Sequence, residues 1–199
     1  MIELVLASAS PRRRTLLQEL GIEADCRPQA IDESPLPGES PQQLVSRLAL
    51  VKARSALGTL SDTDHRPVLG SDTIVVCDEE ILGKPLDRED GCRMLRLLSG
   101  REHQVLTAVA VVNHEQEELD VASSKVSFKT LSDSEISAYW ESGEPLDKAG
   151  AYAIQGLGAM FVNNIQGSYS GVVGLPVYET VALLGKFGLD TTSLLIRGS

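Results

Sequence analysis

The stretch Leu4-Val-Leu-Ala-Ser-Ala-Ser-Pro-Arg-Arg-Arg14 decides how the chain begins to fold. Residues 2–7 are mostly apolar and predict a buried strand, and the apolar pattern that follows predicts a helix over 11–20. Ser10 suits the N-cap of that helix, and Pro11 suits its first position, where no N–H is needed. A strand that leads into a helix start brings free N–H groups and the positive end of a helix dipole to one point. The stretch therefore predicts a site for a phosphate-bearing anion.

The hydroxyls and guanidinium groups at this point make Ser8, Arg12 and Arg13 candidate ligands of the anion. The alternative is a surface arginine cluster beside an ordinary helix start, which is the commoner case for a basic triplet alone. The chain as a whole is acidic, with a net charge of −10 and a pI near 4.8. Such a chain has to bind an anion in a local cationic pocket, and it is unsuited to binding nucleic acid over its whole surface.

Length and composition limit the class of protein. The 199 residues, 42% of them hydrophobic, suffice for one core or for two lobes that share a sheet. The three cysteines lack metal-ligand spacing and predict free thiols in a reducing compartment. A basic segment followed by a long apolar stretch is missing at the start, and no apolar run reaches the roughly 18 residues of a membrane span. We therefore expect a cytoplasmic protein without a signal peptide or a membrane partner.

Strand and helix patterns alternate along the chain, but hairpins join several strands, which predicts a mixed α/β (α+β) fold with a mixed sheet. Further helices are predicted from Pro41 to about Leu57, from Asp87 to Gly100, from Ser132 to about Ser142, and over 176–187. Further strands are predicted at the start of 22–38 and over 67–77, 81–85, 101–113, 118–130, 159–165 and 168–173. Because no linker divides the chain, we predict a single domain over 1–199, with two lobes around a cleft and a loose tail at 188–199.

Gly70-Ser71-Asp72-Thr73 interrupts the apolar strand predicted over 67–77. A carboxylate in the middle of a central strand needs a partner, because burying it unpaired is costly. Asp72 is therefore a candidate functional residue, and the alternative is an edge strand on which it faces water. A turn at 78–80 then reverses the chain, so the hairpin is expected to bring Lys84 alongside Asp72.

Two more candidate positions precede this strand. Asp32 and Glu33 lie in a loop stiffened by two prolines, and taken alone this pair is as readily a solvated acidic turn as a site. Lys52 lies at the edge of the apolar face of the helix that begins at Pro41. A lysine at such an edge usually extends its amine to water, and the alternative is that it reaches into a cleft.

Several kinds of chemistry are disfavoured. Residues 167–171 place Tyr where a nucleophile elbow needs Ser, the three histidines are interpreted as solvated or structural, and neither a P-loop nor a zinc signature is present. The remaining charges suit phosphoryl or nucleotidyl transfer, which needs cations on the phosphate oxygens, a divalent metal and a carboxylate that activates water. Magnesium takes one or two protein carboxylates plus substrate phosphates, and Glu33 and Asp72 supply that number.

A series of blocks, in order along nearly the whole chain, resembles the Maf family of nucleoside triphosphate pyrophosphatases. The blocks are Leu6-Ala-Ser-Ala-Ser-Pro-Arg-Arg13, Asp32-Glu33, Gly70-Ser-Asp-Thr-Ile-Val75, Gly83-Lys84-Pro85, Asp147-Lys-Ala-Gly-Ala-Tyr-Ala-Ile-Gln-Gly-Leu-Gly158, Gly167-Ser-Tyr and Val173-Gly-Leu-Pro176. The resemblance implies hydrolysis of a nucleoside triphosphate to the monophosphate and diphosphate with a divalent cation (Mg²⁺, Mn²⁺ or Co²⁺). It also implies a homodimer with a Maf/ITPase-like fold, an elongated mixed sheet flanked by helices with two lobes around a deep cleft.

The resemblance also implies roles for individual residues. Asp72 is the proton acceptor, and Glu33 and Asp72 hold the metal or its water. The other catalytic positions are Lys52 and Lys84. Those that bind substrate are Ser8, Arg12, Arg13, Thr73 and Gln155, whereas Arg14 is expected to lie outside the site.

The block around Gln155 resembles the branch of the family that acts on dTTP and UTP, since a 7-methyl-GTP branch is expected to carry a Ser-Glu-Gly-Leu-Gly type of block. A glutamine amide offers one donor and one acceptor side, which pair with O4 and N3–H of uracil or thymine. A flipped amide pairs with cytosine as well, so cytosine stays an alternative. The alternatives are a 7-methyl-GTP-type pyrophosphatase and a nucleotide-binding regulator of septum formation. A nucleic-acid binder is disfavoured by the acidic charge and by an aromatic content of 4%.

Overall fold

The computed structural model describes residues 2–190 and 192–196. The strands in this part of the chain are β1 (Ile2–Leu6), β2 (Ile22–Cys26), β3 (Val68–Cys77), β4 (Glu80–Leu82), β5 (Glu102–Val112), β6 (Glu117–Phe128) and β7 (Val162–Gln166). The α-helices are α1 (Pro11–Glu19), α2 (Pro41–Leu57), α3 (Arg88–Leu98), α4 (Asp133–Glu141), α5 (Tyr169–Val173), α6 (Val177–Lys186) and α7 (Thr192–Ile196). Short 3₁₀ turns cover Glu144–Asp147, Ala149–Ala151 and Leu157–Phe161.

The strands form one mixed sheet in the order β2-β1-β3-β5-β6-β7, with β4 paired to β3. β1 runs parallel to β2 and to β3, whereas β4 is antiparallel to β3 and β7 is antiparallel to β6. This confirms the predicted α/β class with a mixed sheet. The crossover through α1 makes the first pair parallel, and the tight turn between Cys77 and Glu80 makes β3 and β4 antiparallel.

The chain divides into two compact units. The first comprises Met1–Asp72, Thr107–Ala122 and Gly174–Ser199, and the second comprises Thr73–Leu106 and Ser123–Val173. The prediction of a single domain with two lobes around a cleft stays a prediction.

Local signals account for the helices of the first unit. Ser10 is the N-cap residue of α1 but makes no side-chain cap bond, and Gly21 after the helix has a φ of +72°. A complete capping box begins α2, because Ser40 and Gln43 each accept a hydrogen bond from the other's backbone N–H. The core of this unit includes the apolar residues of β1 and of α2, among them Leu4, Leu6, Leu44, Val45 and Leu48.

A cluster of aromatic rings fills the core of the second unit. The rings of His103, Phe128 and Tyr152 meet edge to face, with centroids 4.8–5.4 Å apart. His103 Nε2 and the Tyr152 hydroxyl lie 2.9 Å apart. Burial lowers the pKa of His103 to about 4, so this imidazole is neutral near pH 7. His103 is therefore a structural residue, in agreement with the interpretation of the histidines.

The strand predicted over 168–173 near the end of the chain is wrong. Residues 169–173 form α5 and not the predicted strand, because the chain turns at Gly167 (φ +124°) and the Ser168 hydroxyl accepts a hydrogen bond from Gly171 N–H. That local cap starts a helix. The predicted loose tail at 188–199 contains α7, while its residues 191 and 197–199 lie outside the described residues.

Candidate active site

Asp72 lies on β3, just beyond the point where the neighbouring strand β1 ends. Leu6, the last residue of β1, is opposite Leu69, and the last bond of this pairing joins Ala7 N–H to the Leu69 carbonyl at 2.8 Å. The residues of β3 after Leu69 therefore have no β1 partner on that side. The parallel pairing brings the turn after β1, with Ser8, toward the segment of β3 that carries Asp72.

Gly70 allows helix α2 to approach this part of β3. A Cβ at Gly70 would lie 2.2 Å from the Ala49 carbonyl oxygen and 2.8 Å from Ala53 N, which are both backbone atoms of α2. Alternate residues of a strand point to the same face, so Gly70 and Asp72 both face α2. Lys52, which lies between Ala49 and Ala53 on the helix, is thereby brought within reach of Asp72.

Lys52 joins the two predicted acidic residues. Its Nζ lies 2.6 Å from Asp72 Oδ1 and 2.6 Å from Glu33 Oε1. Asp72 and Lys52 are both buried, at 7% and 9% exposure, whereas the Glu33 side chain is 49% exposed. Burial raises the pKa of Asp72, and the Lys52 ammonium and the Arg13 guanidinium oppose that rise. The alternatives of a solvated Lys52 and a water-facing Asp72 are wrong.

Arg13 is positioned from two sides. Its Nε donates to the Gly174 carbonyl oxygen at 2.7 Å, and its Nη1 donates to Ser8 Oγ at 3.3 Å. The same Gly174 carbonyl accepts the hydroxyl of Ser71, at 3.2 Å. Burial lowers the pKa of Arg13, and the carboxylates of Asp72 and Glu33 oppose that effect. The guanidinium is thus directed by backbone and hydroxyl groups and lies in the field of both acidic side chains.

The loop that carries Glu33 is tied to α2 by Arg47. Arg47 Nη2 donates to the carbonyl of Ser34 at 3.0 Å, and the guanidinium contacts both oxygens of Glu39 at 2.6 and 2.8 Å. Glu39 in turn accepts the N–H of Leu36 at 3.0 Å. The hydrogen bonds from Arg47 lower the pKa of Glu39 to about 2, so this bidentate ion pair persists at neutral pH. Both ends of the loop segment after Glu33 are therefore held by one side chain.

We expect Arg47→Met to lower turnover about tenfold, in the range found when residues that orient ligands are removed. The reason is that Glu33 loses the anchor of its neighbouring backbone while its own side chain is unchanged. Steady-state assays of the variant test this. The matched control is Arg54→Met, because Arg54 lies on the same helix and forms a bidentate pair with Glu117 at 2.8 and 2.5 Å. Equal activities of the two variants would contradict the role of Arg47.

The predicted site residues fall into two groups. Ser8, Arg12, Arg13, Glu33, Lys52 and Asp72 belong to the first unit, where hydrogen bonds, ion pairs or electrostatic effects of their charges on pKa join all six. Arg12 is partly buried and its charge acts on the pKa of Arg13, whereas Arg14 is exposed, as expected.

The other three predicted residues, Thr73, Lys84 and Gln155, belong to the second unit. Lys84 is exposed and follows the end of β4, and Gln155 is exposed in a turn before the last 3₁₀ segment. Their placement beside the cluster stays a prediction. Sequence reasoning missed Ser71, Arg47 and Gly174, although Ser71 and Gly174 stand inside two of the quoted blocks.

The donor set fits a divalent cation shared with phosphates. Glu33 and Asp72 converge on one cationic atom, Lys52 Nζ, and each carboxylate has a second oxygen. Magnesium and manganese favour such oxygen ligands, with substrate phosphates completing the coordination. Within residues 2–190 and 192–196, three or more His, Cys, Asp or Glu side chains are nowhere grouped to hold a metal ion.

Comparison with known proteins gives the family. The model of the family described as "Maf-like protein" matches residues 3–187 of this chain. The chain belongs to the Maf family. A dTTP/UTP pyrophosphatase of Pseudoalteromonas translucida is 57% identical to it over 182 residues, which are 92% of this chain and 95% of that protein. A dTTP/UTP pyrophosphatase of Vibrio parahaemolyticus is 52% identical over 186 residues, covering 94% and 97%.

Among solved structures, this Maf protein is similar to a nucleoside-triphosphatase, a dITP/XTP pyrophosphatase of Mycobacterium abscessus, at a TM-score of 0.45 and 21% identity. The likeness covers 63% of this chain and 74% of that one. In the described part of the Maf protein, no helix has the length and apolar character needed to cross a membrane. All three cysteines are free thiols.

Proposed function

We propose that this Maf protein hydrolyses dTTP and UTP to the nucleoside monophosphate and diphosphate. The structural observation that carries the proposal is the buried Asp72 carboxylate held by Lys52, next to the guanidinium of Arg13. A fixed base beside fixed cations is what attack of water on a phosphoanhydride requires. The substrate follows from the two relatives described above, which are both dTTP/UTP pyrophosphatases.

In the proposed reaction, Asp72 accepts a proton from the attacking water. The water oxygen forms a bond to the α-phosphorus, and the bond from that phosphorus to the α,β-bridging oxygen breaks. The electron pair leaves with the diphosphate, and the proton stays on the Asp72 carboxylate. Lys52 occupies Oδ1 of Asp72, so Oδ2 is the oxygen that we assign to the proton.

The cations of the site hold the phosphates in this proposal. Arg12 and Arg13 present guanidinium forks that suit phosphate oxygens, and Ser8 adds a hydroxyl. Lys84 is proposed to reach the same phosphates, and Thr73 and Gln155 to contact the nucleoside. Because Arg13 is already directed by Gly174 and Ser8, little of its freedom remains to be lost on binding.

We also propose that Glu33 and Asp72 hold a divalent cation, or the water bound to it, together with the substrate phosphates. When bound, Mg²⁺, Mn²⁺ or Co²⁺ supplies positive charge that stabilises the phosphate oxygens.

We further propose that the protein acts as a homodimer and that it is located in the cytoplasm. The location accords with its free thiols.

A panel of nucleoside triphosphates tests the function. The panel contains dTTP, UTP, the other common triphosphates and 7-methyl-GTP, each assayed with Mg²⁺, Mn²⁺ and Co²⁺. We expect monophosphate and diphosphate as products, with dTTP and UTP preferred. Hydrolysis in ¹⁸O-water is expected to label the monophosphate, since attack is at the α-phosphorus. A preference for 7-methyl-GTP, or label in the diphosphate, would overturn the substrate or the site of attack respectively.

A further inference from the structure

The loop over 153–158 is held in place by two side chains outside it. This loop carries Gln155, the proposed base-contacting residue, and it contains no strand that would fix it by ladder bonds. The two side chains are Tyr139, at the end of α4, and Glu144, in the following 3₁₀ turn. Both belong to the same unit as the loop.

Three hydrogen bonds connect this pair with the loop, and a fourth joins its two side chains. The Tyr139 hydroxyl donates to Glu144 Oε1 at 2.7 Å and accepts the N–H of Ala153 at 3.0 Å. Glu144 Oε2 accepts the N–H of Leu157 at 2.9 Å, and Oε1 accepts the N–H of Gly158 at 3.0 Å. The backbone is thus anchored before and after Gln155.

The loop packs tightly against these two side chains. A Cβ at Gly156 would lie 2.0 Å from Glu144 Oε2, and a Cβ at Gly158 would lie 2.7 Å from the Tyr139 hydroxyl oxygen. Tyr139 is 4% exposed. Burial alone would raise the pKa of Glu144. The hydrogen bonds that it accepts from Gly158, Tyr139 and Leu157 outweigh this effect, so the pKa lies below its ordinary value and the group is a charged acceptor at pH 7. The glycines of the loop therefore serve its close approach to a carboxylate.

We propose that Tyr139 and Glu144 are positioning residues that make Gln155 selective between pyrimidine bases. This inference rests on the proposed function, in which Gln155 contacts the base. The two side chains do not touch the nucleotide in this proposal. They act by fixing the backbone from which the Gln155 amide reaches the base.

A fixed loop is needed for discrimination by an amide. Uracil offers an acceptor at O4 and a donor at N3, whereas cytosine offers a donor and an acceptor at these positions. A glutamine amide that pairs with uracil therefore pairs with cytosine only after its oxygen and nitrogen exchange places, which a loop free to move permits. The wrong base is rejected only when the amide is left unpaired beside it. If the loop moves, the Gln155 amide moves with it into water. It then forms hydrogen bonds with water whichever base is bound, so cytosine is no longer rejected.

The test compares UTP with CTP as substrates of Tyr139→Phe and Glu144→Gln in the full chain. We expect the ratio of kcat/KM for UTP to that for CTP to fall at least about tenfold, a small part of the discrimination that a hydrogen-bonding pocket supplies. The KM for UTP is expected to rise with little change in kcat, because the affected contact is to the base. Glu141→Gln is the matched control, since Glu141 is exposed on α4 and contacts Arg88 at the surface.

A double-mutant cycle separates positioning from a merely structural role. If Glu144 acts through Gln155, Glu144→Gln has no further effect on the UTP to CTP ratio in the Gln155→Ala background. Equal loss of both activities in Glu144→Gln would overturn the proposal while leaving the proposed function intact. A wild-type protein that hydrolyses no pyrimidine triphosphate would overturn both. Should Glu144→Gln fail to fold, Tyr139→Phe, which removes one oxygen, decides the matter in the same cycle.

Discussion

Asp72→Asn is expected to lower turnover of dTTP by about 10²- to 10⁴-fold, the usual contribution of a general base. The amide has the shape of the carboxylate but cannot accept a proton from the attacking water. Lys52 keeps its ion pair with Glu33 in this variant, so the fold and the site around it are retained. Rates of diphosphate release, measured at saturating dTTP, check the loss.

The control for this variant is Asp62→Asn. This substitution makes the same chemical change away from the site, because Asp62 is exposed in the loop before β3. Asp62→Asn is expected to retain full turnover. Thermal unfolding of both variants shows whether they are folded. Turnover near that of the wild type in folded Asp72→Asn would exclude Asp72 as the proton acceptor.

Lys52→Met is expected to lower turnover by about 10²- to 10³-fold, as removal of a preorganised charge from an active site does. The unbranched side chain of Met fills much of the same space without the ammonium. Glu33 and Asp72 then lose the ammonium group that lies 2.6 Å from an oxygen of each. Ionising the buried Asp72 carboxyl therefore costs more free energy.

The same change is expected to lower the free energy of unfolding. Removing one partner from a fully buried ion pair costs about 3–5 kcal/mol, and we expect less here because Glu33 is half exposed. The matched control is Lys186→Met, whose lysine pairs with Glu118 at 2.7 Å and is 54% exposed. Activity and denaturant unfolding of the two variants check the prediction. A Lys52→Met variant as active as Lys186→Met would contradict it.

Elements with local signals were predictable. The capping boxes at Ser40 and Ser132 begin α2 and α4, and Asp87 caps α3. These signals work because the bonds join residues three apart in the chain. The wrong strand over 168–173 shows the limit, since the Ser168 hydroxyl starts a helix where apolar residues favoured a strand.

The candidate site was predictable in its charged residues and not in the groups that hold them. Lys52 was ambiguous in the sequence, because whether an amine at the edge of an apolar face is solvated depends on what packs there. Arg47 carried no sequence signal, since one of its partners is the backbone carbonyl of Ser34. The same applies to Ser71, whose hydroxyl donates to the carbonyl of Gly174.

The opening strand, the helix start and the arginines after Ser8 were determined by the sequence itself, since each depends on neighbouring residues. Tertiary structure alone decided what directs Arg13 inward, because its guanidinium reaches Gly174, which lies 161 residues away. It also decided that Lys52 pairs with Asp72, through an approach of α2 to β3 that only Gly70 permits. Such contacts depend on how distant segments pack, and several of them involve backbone atoms, so no local pattern encodes them.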